Sequence, residues 1–327
     1  MKRLLIFYGV LLLCLQANAQ PYLQSCAVDV SQDFTDFSNT YFFADSLASF
    51  DPATAEGSIR WKRYSLFGRQ AFNTTKVFPL PLEMLDFPPT QYENDPQLRF
   101  SIDFVSPVTV RLRVYTSPVI LSEEESLMLT GTPPRDGSWT YKKGNGTHTY
   151  TGRGGSIVIR EYPFSIMLCD ERGREMTRTR HWADNDSTQI KVLPFQFIKR
   201  ASDNIRSINP VFSLRPNEKI VGCGESPTAL NKVGQKVHLF VTDPQSPEGD
   251  QMYKPIPFFI SNKGYGMFMH TSAPVTCDFG ATHAGSAKLF MADETLDLFL
   301  FWGKPAEIID QYTNLTGKAT MPPLWSF

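Results

Sequence analysis

Apolar and polar residues alternate with a period of two along most of this chain. Phe100, Ile102 and Phe104 alternate with Arg99, Ser101 and Asp103, and Val108, Val110, Leu112 and Val114 alternate with Thr109, Arg111 and Arg113. Successive side chains of a strand point to opposite faces, so the pattern predicts strands buried on one face only. Shorter apolar runs predict further strands over 157–159, 164–169, 192–198, 211–214, 237–241, 256–260, 265–269 and 296–302. Turn formers separate them. Asp170-Glu171-Arg172-Gly173 and Ser261-Asn262-Lys263-Gly264 suit hairpin tips, where Gly or Asn takes the positive φ of a tight reversal. Sheets built on hairpins are antiparallel.

A helical period is clear near the end of the chain. Pro305 suits a first helical turn, and Ile308, Ile309, Tyr312 and Leu315 are expected on one stripe before Gly317 and Met321-Pro322-Pro323 end the element. Many short strands, frequent turns and one late helix predict an all-β fold, a large antiparallel β-sandwich over residues 61–302 with the helix following from 303. Residues 20–60, mixed polar and aromatic, read as an irregular lead-in.

The N-terminus changes the picture of where the protein works. Lys2 and Arg3, an apolar run from Leu4 to Leu15 and then Ala17-Asn18-Ala19 have the layout of a cleavable signal over residues 1–19, which predicts cleavage after Ala19 and a secreted or periplasmic product. The apolar run is shorter than the roughly 20 residues a membrane helix needs, and no later segment approaches that, so no membrane partner is expected. Charge is balanced, 32 Lys and Arg against 33 Asp and Glu, without a long run of one sign. That excludes the basic footprint of a nucleic-acid binder and fits neutral partners such as sugars. The aromatic share suits sugar stacking and the core of a β-protein equally well.

Four cysteines follow the signal: Cys26, Cys169, Cys223 and Cys277. None forms the paired CxxC spacing of a zinc site. Export leaves three disulfide pairings open, whereas the apolar runs around Cys169, Cys223 and Cys277 favour buried free thiols. His238, His270 and His283 share no short ligand spacing, so no metal is expected; His238, alternating with Val237 and Leu239, is expected to face solvent or a partner. Asn73, Asn145, Asn185 and Asn314 open N-x-[ST] triplets, which are glycosylation acceptors in a eukaryotic secretory host.

The second half of the chain carries a dense set of motifs. They run Gly222-Cys223-Gly224-Glu225, Leu230-Asn231-Lys232, Gly234-Gln235, Val241-Thr242-Asp243, Tyr253-Lys254 to Ile256-Pro257-Phe258-Phe259, and Gly264 to Phe268. Gly303-Lys304-Pro305, Thr316-Gly317 and Met321 to Phe327 continue the series, and Pro163-Phe164-Ser165-Ile166 precedes it. In order and spacing these resemble glycoside hydrolase family 31; residues 20–150 match in general character only. The resemblance implies the galactose mutarotase-like N-terminal sandwich of a retaining α-glycosidase, reaching at residue 327 the start of the family's (β/α)8 barrel. The implied substrate is an α-linked oligosaccharide or glycoside, the implied partner is that barrel, and no cofactor is implied. A retaining mechanism needs two carboxylates roughly 5 to 5.5 Å apart. In the family both are barrel aspartates, so the resemblance implies no catalytic residue in this chain and no turnover by it alone. A free-standing sugar-binding module and a mutarotase-type epimerase are the alternatives, and the apolar end Met321 to Trp325, which belongs against something, speaks against both.

Two acidic residues in these motifs invite functional readings. Glu225 sits among glycines and is expected to hold a tight turn by accepting backbone N–H groups. Asp243 is the one residue the resemblance carries over as substrate-binding, because an aspartate there accepts hydrogen bonds from hydroxyls of the sugar in the family's first subsite. The local sequence agrees that the chain leaves a strand at this point: the alternation ends at Thr242, Pro244 cannot donate to a ladder, and a long polar loop runs to Lys254. By itself an Asp-Pro pair also simply starts a turn.

Overall fold

The computed structural model describes residues 28–69, 74–78, 95–119, 126–184, 193–243 and 251–326. The first strands are β1 (Thr40–Asp51), β2 (Glu56–Arg69), β3 (Thr74–Phe78), β4 (Gln97–Ser106) and β5 (Thr109–Tyr115). They are followed by β6 (Thr140–Gly144), β7 (Thr147–Gly152), β8 (Gly155–Arg160), β9 (Ser165–Asp170) and β10 (Glu175–Arg178). Next come β11 (Gln196–Lys199), β12 (Arg206–Asn209), β13 (Val211–Ser213), β14 (Ile220–Glu225) and β15 (Lys236–Leu239). The last are β16 (Lys254–Ser261), β17 (Tyr265–Met269), β18 (Val275–Phe279), β19 (Ser286–Met291) and β20 (Thr295–Trp302), before helix α1 (Pro305–Thr316).

Strands β6 to β10 make a five-stranded sheet, and the others make a 15-stranded sheet in the order β14-β16-β17-β20-β5-β4-β2-β1-β11-β12-β19-β18-β15, with β3 on β2 and β13 on β19. The large sheet curls until its ends face each other. Phe259 of β16 meets Phe279 of β18 edge-on at 5.0 Å, and Cys223 and Cys277 share the same buried core. The small sheet lies over the middle of the large one, where Phe164 meets Phe100 at 5.9 Å and the Trp302 indole donates to the Cys169 carbonyl at 2.9 Å. At Gly155, with φ of 152°, a Cβ would stand 2.1 Å from that carbonyl, so glycine is what allows the small sheet to approach Trp302. The expected all-β sandwich is the observed fold.

The sheet begins earlier than the period-two pattern indicates. β1 and the start of β2 lie within the stretch 20–60 expected to be an irregular lead-in, yet they sit in the middle of the large sheet. The reason is physical: β1 is buried on both faces from Tyr41 to Asp45, and its register with β2 slips at Ala44/Ser46 and Leu47/Ser49. Both effects erase alternation. Among the described residues, the segment 28–39 before β1 contains no strand, and it too is packed, with Val30 and Phe34 on a second apolar cluster of Tyr41, Phe43, Tyr64, Ile198 and Phe290.

Helix α1 covers a third cluster. Ile308 and Leu315 are buried, and the Tyr312 ring stacks on Phe258 at 4.1 Å. Ile309, expected on the same stripe, is 49% exposed, because a step of about 100° per residue takes it off the line through 308, 312 and 315. Cys169, Cys223 and Cys277 are buried free thiols, as their apolar context indicated. Cys26, Asn73, Asn185 and residues 1–19, expected to be a signal, lie outside the described residues.

Candidate functional site

The site is built where the two ends of the large sheet come together. In β15, Val237 and Leu239 point into the core, and the next two residues break out, Phe240 being 36% and Val241 62% exposed. Val241 and Met252 form an isolated parallel bridge, and the Thr242 N–H donates to the Met252 carbonyl at 2.9 Å. These contacts bring together the chain on either side of residues 244–250. Asp243 is exposed. Two residues earlier, Val241 joins Leu239 and Phe240 in one wall of a cavity of about 400 Å³, with Pro255, Pro257 and the turn Thr271 to Val275 forming others; Asp243 itself is not in the lining. The lining is apolar except for Thr271 and Ser272.

The glycine-rich motif forms the neighbouring edge strand. Gly222, Cys223 and Gly224 all have positive φ, 126°, 70° and 92°, at a slip in the register between β14 and β16. A Cβ on Gly224 would lie 2.2 Å from the Lys254 carbonyl, so glycine permits the two strands to close up there. The bulge turns Cys223 into the core and leaves Glu225 outside. Glu225 is exposed and stands 3.7 Å from Lys254 Nζ, a surface ion pair in place of the expected backbone-holding role. Asn231 does hold backbone: its Oδ1 accepts from the N–H groups of Ile220 at 3.1 Å and Val233 at 3.3 Å.

The three histidines are dispersed. His238 is covered on the outer face of β15, with Nδ1 3.4 Å from Thr276 Oγ1 and 3.9 Å from Asp29, because the segment before β1 lies over a position expected to face solvent or a partner. His283 stands 3.5 Å from Ser286 Oγ; burial first, then the nearby Lys288 and Arg180 charges, hold its imidazole below the usual value. His270 anchors a buried chain next to the cavity. Its Nδ1 is 2.6 Å from Asp297 and its Nε2 is 2.7 Å from Ser126 Oγ, while Arg111 clasps Asp297 through both oxygens. Burial opposes ionisation of Asp297, but the Arg111 and His270 contacts outweigh it and hold the carboxyl below the usual range. This chain fixes the cavity wall, since His270 adjoins Thr271, and Ser126 accepts the N–H of Met128, another lining residue, at 3.2 Å. Sequence reading missed Arg111, Ser126 and Asp297. Charged residues at outward strand positions look solvated until the register shows what stands beside them.

The geometry therefore offers a mainly apolar cavity whose lining includes Val241, with the exposed Asp243 two residues further along the chain. Comparison with known proteins gives this arrangement a context. Residues 99–278 match the model of the glycosyl hydrolase 31 N-terminal galactose mutarotase-like domain. The chain is 33% identical over 141 residues to alpha-xylosidase XylQ of Lactiplantibacillus pentosus, covering 43% of this chain and 18% of that protein. It is 34% identical over 115 residues to an alpha-xylosidase of Emericella nidulans, covering 35% of this chain and 15% of that protein. The chain thus spans less than a fifth of the length of either relative. In fold it is similar to a Flavobacterium johnsoniae GH31 dextranase complexed with isomaltotriose, with a TM-score of 0.61 at 18% identity, over 87% of this chain and 29% of that one. It is also similar to the cycloalternan-forming enzyme of Listeria monocytogenes in complex with a pentasaccharide substrate, with a TM-score of 0.64 at 17% identity, over 88% of this chain and 24% of that one.

Proposed function

Because the chain belongs to the glycosyl hydrolase 31 family through its N-terminal galactose mutarotase-like domain, we propose that it shapes the sugar pocket of a retaining α-glycosidase whose chemistry resides on a catalytic barrel. The observation that carries this reading is the position of Asp243. It is an exposed carboxylate next to Thr242, whose N–H donates to the Met252 carbonyl, and two residues beyond Val241, which lines the cavity. A carboxylate accepts hydrogen bonds from several sugar hydroxyls at once, and such charge-assisted bonds are stronger than neutral ones. A site built around that acceptor also discriminates against a sugar lacking the hydroxyl, which leaves the acceptor unpaired. The α-xylosidases among the relatives support an α-linked glycoside as the substrate class. The signal-like residues 1–19 support export to where such glycosides are met.

The test supplies the chain with a family barrel and compares Asp243→Ala with the parent. The expected result is a fall in kcat/KM of at least about tenfold, equivalent to about 1.4 kcal/mol of lost transition-state binding, with an unchanged melting temperature. Unchanged kinetics in the folded variant would reduce Asp243 to a turn residue and overturn the reading. The chain without a barrel is expected to leave aryl α-glucosides and α-xylosides intact. Hydrolysis that copurifies with it would overturn the division of labour.

A further inference from the structure

On the outer face of the large sheet, away from the cavity, three polar side chains are buried side by side. Gln196 of β11 stands directly across from Asn209 of β12, and Ile198 stands across from Ser207. Phe197 and Ile208 point into the main core, whereas Ile198 belongs to the outer apolar cluster with Tyr64, so the period of two places Gln196, Ser207 and Asn209 together on the outer face. Gln196 is 1% exposed, and Ser207 and Asn209 are 0% exposed.

Their hydrogen-bonding capacity is largely unmet. The Tyr64 hydroxyl donates to Gln196 Oε1. Gln196 Nε2, Ser207 Oγ and both Asn209 Nδ2 and Oδ1 meet no partner among the described residues. Turning the Asn209 amide over would exchange its two unmet atoms and satisfy neither. Buried polar groups in folded proteins are almost always paired, and four such atoms left bare would consume much of a domain's marginal stability. Something else must meet them.

We propose that Gln196, Ser207 and Asn209 hold ordered water, as an internal hydration site beneath the segment that precedes β1. The chemistry selects the ligand. Two amide NH₂ groups donate, Asn209 Oδ1 accepts, and the Ser207 hydroxyl does either, so the occupant must both donate and accept. Water does so and needs two to four such partners. A cation would face the two amide donors without a carboxylate to hold it, and an anion would face the Asn209 oxygen.

The cover gives the site a dynamic signature. Val30 and Phe34 pack in the same outer cluster, with Trp182 against it. The covering segment is tied down by Lys236 Nζ, which reaches Asp29 at 3.1 Å and Ser31 Oγ at 2.9 Å, and by the Val30 N–H on Thr276 Oγ1 at 3.0 Å. Water under such a cover leaves when the segment lifts, so its residence time is set by local opening rather than by surface exchange.

Oxygen-17 magnetic relaxation dispersion on the full chain reads this directly. The native protein should show long-lived internal water, a Gln196→Leu/Asn209→Leu double variant should lose at least one water's worth of that signal, and Lys236→Met should shorten the residence time. Equal dispersion in the native and double-variant proteins would overturn the proposal. A high-resolution crystal structure of the native chain decides the matter even if the double variant does not fold. A water-sized density peak is expected roughly 2.7–3.2 Å from Asn209 and from Gln196 or Ser207. Featureless density, direct bonds among the three side chains, or a peak too large for water would overturn it.

Discussion

Arg111 holds Asp297 with two parallel hydrogen bonds, Nε to Oδ1 at 2.8 Å and Nη2 to Oδ2 at 2.7 Å. On β20 the residue directly across from Arg111 is Phe299, over whose ring the guanidinium lies at 5.3 Å, so the ion pair runs diagonally between β5 and β20. Both partners are largely buried, with 9% and 13% of their side chains exposed. Removing Arg111 leaves the buried Asp297 carboxylate with His270 at 2.6 Å as its remaining charge-balancing contact. Arg111→Met should lower the unfolding free energy by about 3–5 kcal/mol in a denaturant titration. Adding Asp297→Leu should recover part of that loss, because the buried carboxylate is gone although His270 Nδ1 then loses its partner. Equal losses in the single and double variants would instead assign the effect to packing of the Arg111 stem on Phe299.

Acid should loosen the cover over the outer face. Burial opposes ionisation of Asp29, but hydrogen bonds from Ser31, Gln32 and Lys236 and the Lys236 charge outweigh it and bring its pKa from 3.8 to about 2. A carboxyl that is more acidic when folded than when unfolded contributes its full stabilisation above the unfolded value and loses it as pH falls through the folded one. The loss therefore belongs to the window from 3.8 down to about 2. Asp29→Asn should flatten the fall in stability across that window, measured by denaturant titration, while Asp297, also held low, keeps part of the slope.

The sandwich is legible from alternation where strands have one wet face, as in β4 and β5, and from turn chemistry at Asp170 to Gly173 and Ser261 to Gly264. It is illegible in β1, whose two buried faces and slipped register leave no period to read. Asp243 could be placed at a strand end from the end of the alternation at Thr242 and from Pro244, but the expectation that it meets a sugar came from family motifs, and the cavity lined by Val241 from the fold. The His270 chain could not be found in the sequence. It joins residues 27 and 144 positions away, which only the sheet order brings together.

Two adjacent isoleucines separate packing from mere hydrophobicity. The Ile308 side chain is fully buried beneath α1, near enough to Gly266 that a Cβ there would stand 2.6 Å from Ile308 Cγ2, whereas Ile309 is 49% exposed. Ile308→Ala should cost about 2–5 kcal/mol through lost burial and the cavity left behind. Ile309→Ala should fall within about 0.5 kcal/mol of the parent. Chemical denaturation of the two variants checks the contrast, and similar losses would mean that α1 docks through the opposite stripe.

The buried thiols should be inert in the folded protein and intact as thiols. Contact with the Cys223 sulfur, together with burial, pushes the Cys277 thiol well above its usual value, and burial raises that of Cys169. The thiolate is the reactive form, so raising the pKa and excluding the reagent both slow alkylation. Cys223 is held inward by three successive residues of positive φ, Gly222 to Gly224, so its exposure requires the β14 bulge to unfold. Iodoacetamide added to the native chain should leave Cys169, Cys223 and Cys277 unmodified over times that label an exposed cysteine fully. After unfolding in denaturant without reductant, all three should be alkylated, as peptide mass spectrometry would show. Rapid native labelling of Cys223 would mean that the bulge opens readily. A linked Cys223–Cys277 peptide would mean that the two sulfurs are joined rather than merely in contact.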